Sequence, residues 1–397
     1  MRTTTLLVAA GTALTLAAPG LAGDGDAHTA AALAAVAAAR TALAIPQAEK
    51  LTVNVTGQIQ FRSIWNQRAD NLVEEDTTLG FQTRRTKLEV GGKIISDAWG
   101  YKVVGAFERD GGAFVLEDAF GSYKLNDSWT LMWGQFKLPF MREESLSSKY
   151  QLAADRSVMN EVFNQDRSQG IQAGFQSETL RFAGAFSDGF NTDNTDFTSG
   201  MEADFAGTAR LEWKWAGDWK QFGDFTNFRG GKYGFGGMAG GAVHWQSGGE
   251  TGGTADMDMF SATADVGVEG DGWNAFAAVV YRNIEPAGGS DLTDWGAMAQ
   301  GGIFVSPQTE LFGRFDMIFP DSDRAGDDEF STLTLGLNHY FAPESHAAKF
   351  TVDLQYFMDT PTDSLMPSGS TGRGIGLLTD DTDDGQWAVR AQMQILF

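Results

Sequence analysis

Residues 386–397 read QWAVRAQMQILF, and apolar and polar residues alternate there almost without fault. Trp387, Val389, Ala391, Met393, Ile395 and Phe397 share one parity; Gln386, Arg390, Gln392 and Gln394 share the other. A period of two over this length marks a strand with one apolar and one polar face. The pattern returns in TVNVTGQIQFR (52–62), TLRFAGAFSDG (179–189), ADFAGTARLEWKW (203–215), LTLGLNHYF (333–341) and KFTVDLQYFMD (349–359). Sixteen such segments are predicted, at 51–66, 80–96, 99–110, 113–125, 128–138, 168–177, 179–188, 200–216, 232–247, 257–269, 272–284, 292–305, 309–319, 330–341, 347–359 and 386–397. Parity is ambiguous in 113–125 and 272–284.

The connections carry a second signal. Those after even segments are mostly tight, such as Asn126-Asp127, Gly270-Asp271 and Ser306-Pro307-Gln308. Those after odd segments are mostly long and acidic, such as FNTDNTDFTSG and PDSDRAGDDE. Strands of this length, with short turns on one side and long loops on the other, predict an all-β fold, a sixteen-stranded antiparallel transmembrane β-barrel. A soluble β-sandwich also alternates, but its strands run shorter. One connection breaks the rule: GDWKQFGDFTNFRGG (217–231) falls where a tight turn is expected.

The N-terminus predicts how the chain reaches a membrane. Arg2, the apolar run Leu6 to Ala18 and the small residues Gly20-Leu21-Ala22 read as a signal peptide, residues 1–22. Residues 23–50 are alanine-rich and form either a short periplasmic helix or a linker. Residues 51–397 then form the barrel. Its last strand must pair with its first to close the cylinder. An aromatic Phe397 on the lipid-facing parity resembles the signal that barrel proteins present to their insertion machinery. The outer membrane of a Gram-negative-type bacterium is the expected location.

Composition removes several functions. With 29 basic and 52 acidic residues the formal net charge is −23, which argues against nucleic acid. The chain has no cysteine, so disulfides and thiolate metal sites are excluded. None of the four histidines accompanies a GxSxG or HExxH motif. The glycine-rich run 234–239 lies in a strand, and the acidic runs at 321–323 and 380–385 do not complete a Ca²⁺ loop. The residues point to no enzyme, metal or cofactor.

Charged residues on the polar parity would line a water-filled lumen. The basic ones expected there are Arg62, Arg85, Lys87, Lys102, Lys137, Arg210, Arg314 and Arg390, joined by Arg156 and Arg167 from the insertion after the fifth strand. Acids of the same parity, among them Glu89, Glu108, Glu202, Asp204, Glu212, Asp265, Asp316 and Asp353, nearly balance them. The insertion after the fifth strand, 138–167, carries Leu146, Tyr150, Leu152, Val158, Met159, Val162 and Phe163. That is too apolar for a free loop of this length, so it is expected to fold into the lumen and narrow it.

Gly134-Gln135-Phe136-Lys137-Leu138-Pro139-Phe140, followed by Arg156 and by Arg167-Ser168-Gln169-Gly170, resembles the phosphate-selective porin O and P family. Arg84-Arg85 after Phe81 resembles the second strand of that family, and the resemblance spans about residues 51–397. It implies a sixteen-stranded, water-filled barrel that assembles as a homotrimer, has an inward-folded third loop, and passes phosphate along arginines and lysines. The balance of acids and bases departs from that pattern. The expected function is therefore passive diffusion of small hydrophilic solutes, with phosphate-type anions implied by the resemblance. A general or sugar-type porin without anion selectivity is the alternative, ahead of an adhesive barrel or a barrel enzyme.

Overall fold

In a computed structural model, the described residues are 51–397 other than 70–75, 110, 251–255, 362–364, 368, 380 and 382. The expected signal peptide and alanine-rich segment lie outside the described residues. Sixteen strands follow one another: β1 (Leu51–Gln67), β2 (Thr77–Ile94), β3 (Ser96–Phe107), β4 (Phe114–Lys124), β5 (Trp129–Lys137), β6 (Arg167–Gln176), β7 (Leu180–Ser187) and β8 (Phe205–Ala216) make the first half. The second half is β9 (Gly236–Ser247), β10 (Met257–Gly270), β11 (Trp273–Pro286), β12 (Leu292–Ser306), β13 (Thr309–Phe319), β14 (Phe330–Tyr340), β15 (Ala348–Phe357) and β16 (Trp387–Leu396).

Each strand pairs antiparallel with its neighbour in sequence, and β16 pairs with β1 to close the barrel. Closure satisfies every strand edge, the condition for a sheet in hydrocarbon. The seam runs from Gln58↔Leu396 to Gln67↔Trp387. Phe397 then exchanges both backbone hydrogen bonds with Gly57, at 2.6 and 3.0 Å. Its ring lies where a side chain on residue 57 would stand, which is why that position is glycine.

Alternation sorts the side chains as the period of two dictates. Val55, Ile59, Phe61 and Trp65 of β1 face outward and are exposed, while Gln58, Gln60 and Arg62 are buried inside. Outward aromatics gather near both rims. Trp65–Trp387 and Tyr281–Trp295 ring pairs lie near the outer-loop ends, and Trp99–Tyr123 and Trp129–Phe175 lie near the tight-turn ends. Such girdles sit at the two water–lipid boundaries of an outer-membrane barrel.

Among the described residues the ladder shifts register at five places, and at two of them, in mid-strand, the extra residue faces inward. Gln60 pairs with Arg85 but Phe61 pairs with Thr83, so Arg84 is an extra residue in β2. Val104 pairs with Asp118 but Gly105 pairs with Leu116, so Glu117 is extra in β4. A bulge turns two consecutive side chains to one face. Arg84 and Arg85 therefore both enter the barrel, as do Glu117 and Asp118. The β4 bulge is the physical reason the parity of 113–125 is ambiguous. In 272–284 the reason differs: β11 alternates cleanly, but Phe276, Ala278 and Val280 of its inner face are apolar because apolar loop segments pack on them.

Three connections fold into the barrel. L3 (138–166) holds α1 (Arg142–Ser145), a 3-10 turn at Ser148–Tyr150 and α2 (Val158–Phe163). Leu152, Val158, Met159 and Phe163 are almost fully buried. L8 (358–386) enters from the same end with α3 (Gly369–Ile375), placing Ile375 and Leu377 in the same apolar cluster as L3. T4 (217–235) enters from the opposite end and adds Phe225 to that cluster.

Candidate functional site

The three segments do not fill the barrel evenly. On β10 to β13 and on β16, nearly every inward residue is buried. On the lower half of β2, on β4 and on β6, the inward residues stay half-buried. Water therefore reaches the lumen along the β2–β6 wall, and the apolar face of L3 packs against the opposite one.

L3 is pinned by buried ion pairs. Asp155 is fully buried and accepts from Arg62 at 3.2 Å, Arg84 at 2.7 Å and Arg85 at 2.5 Å. Burial alone would raise its pKa, but Arg84, Arg85 and Arg62 outweigh that and hold it well below the usual carboxylate range. Arg62 also donates to the Ala154 carbonyl at 2.8 Å and, from L8, to the Gly374 carbonyl at 2.8 Å. Arg314 donates to the carbonyls of Asp155 and Arg156, at 3.1 and 3.2 Å. Arg390 holds Asp353 at 2.7 Å and donates to the Ile375 carbonyl of L8 at 2.7 Å. Asp353 in turn accepts from the Ala154 amide at 2.9 Å.

Within L3, Glu144 pairs with Arg156 at 3.1 Å and with Lys137. Burial works against its charge, yet Arg156 and Lys137 lower its pKa to about 2. Arg156 also donates to the carbonyls of Glu143 and Leu146, at 3.2 and 2.9 Å. Arg210, on β8, binds Asp265 at 2.8 Å and Glu212 at 3.0 Å, and donates to the Phe140 carbonyl at 2.9 Å.

The ten basic residues expected in the lumen thus separate into two groups. Arg62, Arg85, Arg156, Arg210, Arg314 and Arg390 are buried clamps that fix L3 and L8 and do not border the open space. Lys87, Lys102, Lys137 and Arg167 line a cavity of about 120 Å³ between β1–β6 and residues 145–149 of L3. That volume holds about four water molecules. Glu89, Glu117 and Asp118 line it too, with Lys149 from L3. The cavity therefore has five cations against three carboxylates.

The pairs inside it are close. Lys87 meets Glu117 at 2.6 Å, and Lys102 meets Glu89 at 3.3 Å. Arg167 reaches both bulge carboxylates, Asp118 at 2.7 Å and Glu117 at 3.1 Å. The Lys149 ammonium has no carboxylate partner among the described residues; it lies 5.4 Å from the Tyr150 ring. Three hydroxyls, Ser145, Ser147 and Ser148, stand on the same L3 rim. Neither the place of Lys149 at the cavity nor that of Arg84 as a clamp on Asp155 was legible from parity, the first lying in a loop and the second in a bulge. Arg84 did leave a trace, since a regular strand would have put one of two adjacent arginines into lipid.

Among the described residues no group of three or more His, Asp or Glu is placed to hold a metal ion.

No curated protein sequence matches the chain. Solved structures share its fold. An anion-selective porin from Comamonas acidovorans superposes with a TM-score of 0.59 at 13% identity, covering 87% of this chain and 99% of that one. The outer membrane channel DcaP of Acinetobacter baumannii gives 0.56 at 14%, covering 86% and 97%. The trimer form of in-vitro folded OmpT from Vibrio cholerae gives 0.50 at 13%, covering 87% and 99%. The family model for phosphate-selective porins O and P matches residues 53–284, more than half of the chain. With that match on a closed sixteen-stranded barrel whose lumen narrows beside an inward third loop, the chain belongs to the phosphate-selective porin O and P family and is a diffusion porin of the Gram-negative outer membrane.

Proposed function

We propose that the cavity between L3 and the β1–β6 wall is the constriction of the channel, and that it gives the porin a modest preference for small anions. The observation that carries this reading is the charge of the cavity lining: five cations face three carboxylates, and Lys149 has no acidic partner. Acidic outer loops oppose it by concentrating cations, but their field is screened beyond about 8 Å at physiological salt. A constriction with room for about four waters brings a passing ion within contact of its charges, where low-dielectric walls strengthen them. The solute class is small hydrophilic anions, phosphate included. The anion-selective porin of Comamonas acidovorans, alike in fold, supports that class.

The test is the reversal potential of single channels across a KCl gradient. The unaltered channel is expected to favour chloride. Lys102→Gln with Lys149→Gln, which removes two cavity cations that make no ion pair with an L3 carboxylate among the described residues, should move the reversal potential toward cation preference. A cation-selective parent that the double variant leaves unchanged defeats the reading. A homotrimer is proposed alongside it, supported by the trimeric OmpT of like fold. Light scattering in detergent that returns one protomer would remove it.

A further inference from the structure

T4 is nineteen residues long, between Ala216 and Gly236, where the neighbouring turns T5 (271–272) and T6 (307–308) have two each. Its contacts cross the barrel mouth. Phe225 meets Phe276 of β11 with ring centroids 4.9 Å apart. Phe228 meets Phe304 of β12 at 5.4 Å and Tyr340 of β14 at 4.9 Å. Asp224 stands 3.3 Å from His346, in the turn between β14 and β15. Leaving β8 and returning to β9, the segment thus reaches a turn three hairpins away.

T4 also touches L3 from beneath. The guanidinium of Arg142, in α1, donates to the Phe222 carbonyl at 2.5 Å and to Glu212 of β8 at 3.4 Å. Trp219, Phe222 and Phe225 are each less than a tenth exposed. Phe225 shares one apolar cluster with Phe140, Met141, Val162 and Phe163 of L3. The next two residues of α1 after Arg142 are Glu143 and Glu144, which hold Arg314, Arg156 and Lys137.

We infer that T4 is a periplasmic strap with two consequences. It closes the β9–β15 side of the periplasmic mouth, so solute leaves along the β1–β7 side. Through Arg142 it also fixes the height of α1, and with it the position of Lys137 at the constriction. Arg142 is a positioning residue here, acting through Glu144 on a lysine that borders the cavity. Loops of this length inside a compact fold are functional or disordered, and the buried aromatics of T4 exclude disorder.

The experiment replaces residues 218–234 with Asn-Gly in the full chain and measures single-channel conductance and reversal potential. Heat-modifiable migration in detergent gels reports whether the barrel has formed. Conductance is expected to rise at least about twofold, because the covered half of the mouth opens. The reversal potential is expected to move toward zero as Lys137 loses its fixed place. If the shortened chain does not fold, Phe225→Ala with Phe228→Ala in the full-length chain decides. It should raise conductance and open-channel noise. Arg142→Gln should raise the noise and shift the reversal potential with little change in conductance, which a merely structural strut would not do. Folded variants with the conductance, noise and reversal potential of the parent overturn the inference. The readouts are changes relative to the parent, so a parent that proves cation-preferring defeats the proposed anion preference and leaves this inference standing.

Discussion

At the scale of residues, one carboxylate carries an unusual share of the loop's attachment. Asp155 neutralises part of the charge of three guanidiniums, each less than a tenth exposed. Removing one partner of a buried pair leaves uncompensated charge and costs about 3–5 kcal/mol. Asp155→Asn should therefore free L3, seen as a lower melting temperature in detergent and as flickering single-channel current. Its depressed pKa means that its contribution is complete above the ordinary carboxylate range and is lost only as pH falls below it. Glu161, in α2, behaves oppositely. Burial first, then the charge of Asp155, raises it to about 7. The folded state then binds a proton that the unfolded chain releases near pH 4.3, so stability falls as pH rises from there to about 7. The melting temperature should decline over that window, and Glu161→Gln should flatten the decline. An unchanged slope would assign the titration elsewhere.

At the scale of elements, the strands were legible because lipid and water impose a strict period on them. All sixteen segments appear, and their ends move by only a few residues. The exceptions are instructive. Arg84-Arg85 and Glu117-Asp118 break the period because bulges need two inward side chains in a row. β11 blurs it because its inner face packs on apolar loops and not on water. T4 stood out by length alone; its aromatic residues carry no periodicity that could say which wall they would meet. The outward face remains the most demanding part of each strand. Val279 lies mid-strand in β11 and half exposed. Val279→Arg should cost about 2–4 kcal/mol at the bilayer midplane, measured as a shift in the urea midpoint of folding into lipid vesicles. A value near zero would place that position at an interface.

At the scale of the whole molecule, the channel is lopsided. L3, L8 and T4 crowd the β9–β16 side, and the open route runs past β1–β7. The charge sum of the ten bases expected in the lumen could not reveal this, because six of them serve as clamps and four border the water. The orientation follows from the same architecture: long loops outside, short turns and T4 inside. Because the chain has no cysteine, single substitutions report sidedness cleanly. Phe197→Cys and Asp328→Cys, both exposed on outer loops, should react with an impermeant maleimide on intact cells. Asp127→Cys, fully exposed on the opposite rim, should not. Labelling in the reverse pattern would invert the barrel.

The two inward bulges also decide where this wall could change length over generations. Removing a single residue from the middle of a regular strand turns every later side chain to the other face, sending lysines into lipid and leucines into the channel. Removing Arg84 or Glu117 does not, because each is already surplus to the ladder: Thr83 and Arg85, or Leu116 and Asp118, would simply become neighbours in a regular strand. What such a deletion removes is an electrostatic grip, on Asp155 in one case and on Lys87 and Arg167 in the other. Single-residue gains and losses in this part of the barrel can thus alter the hold on the third loop or the charge beside the pore while leaving the wall intact.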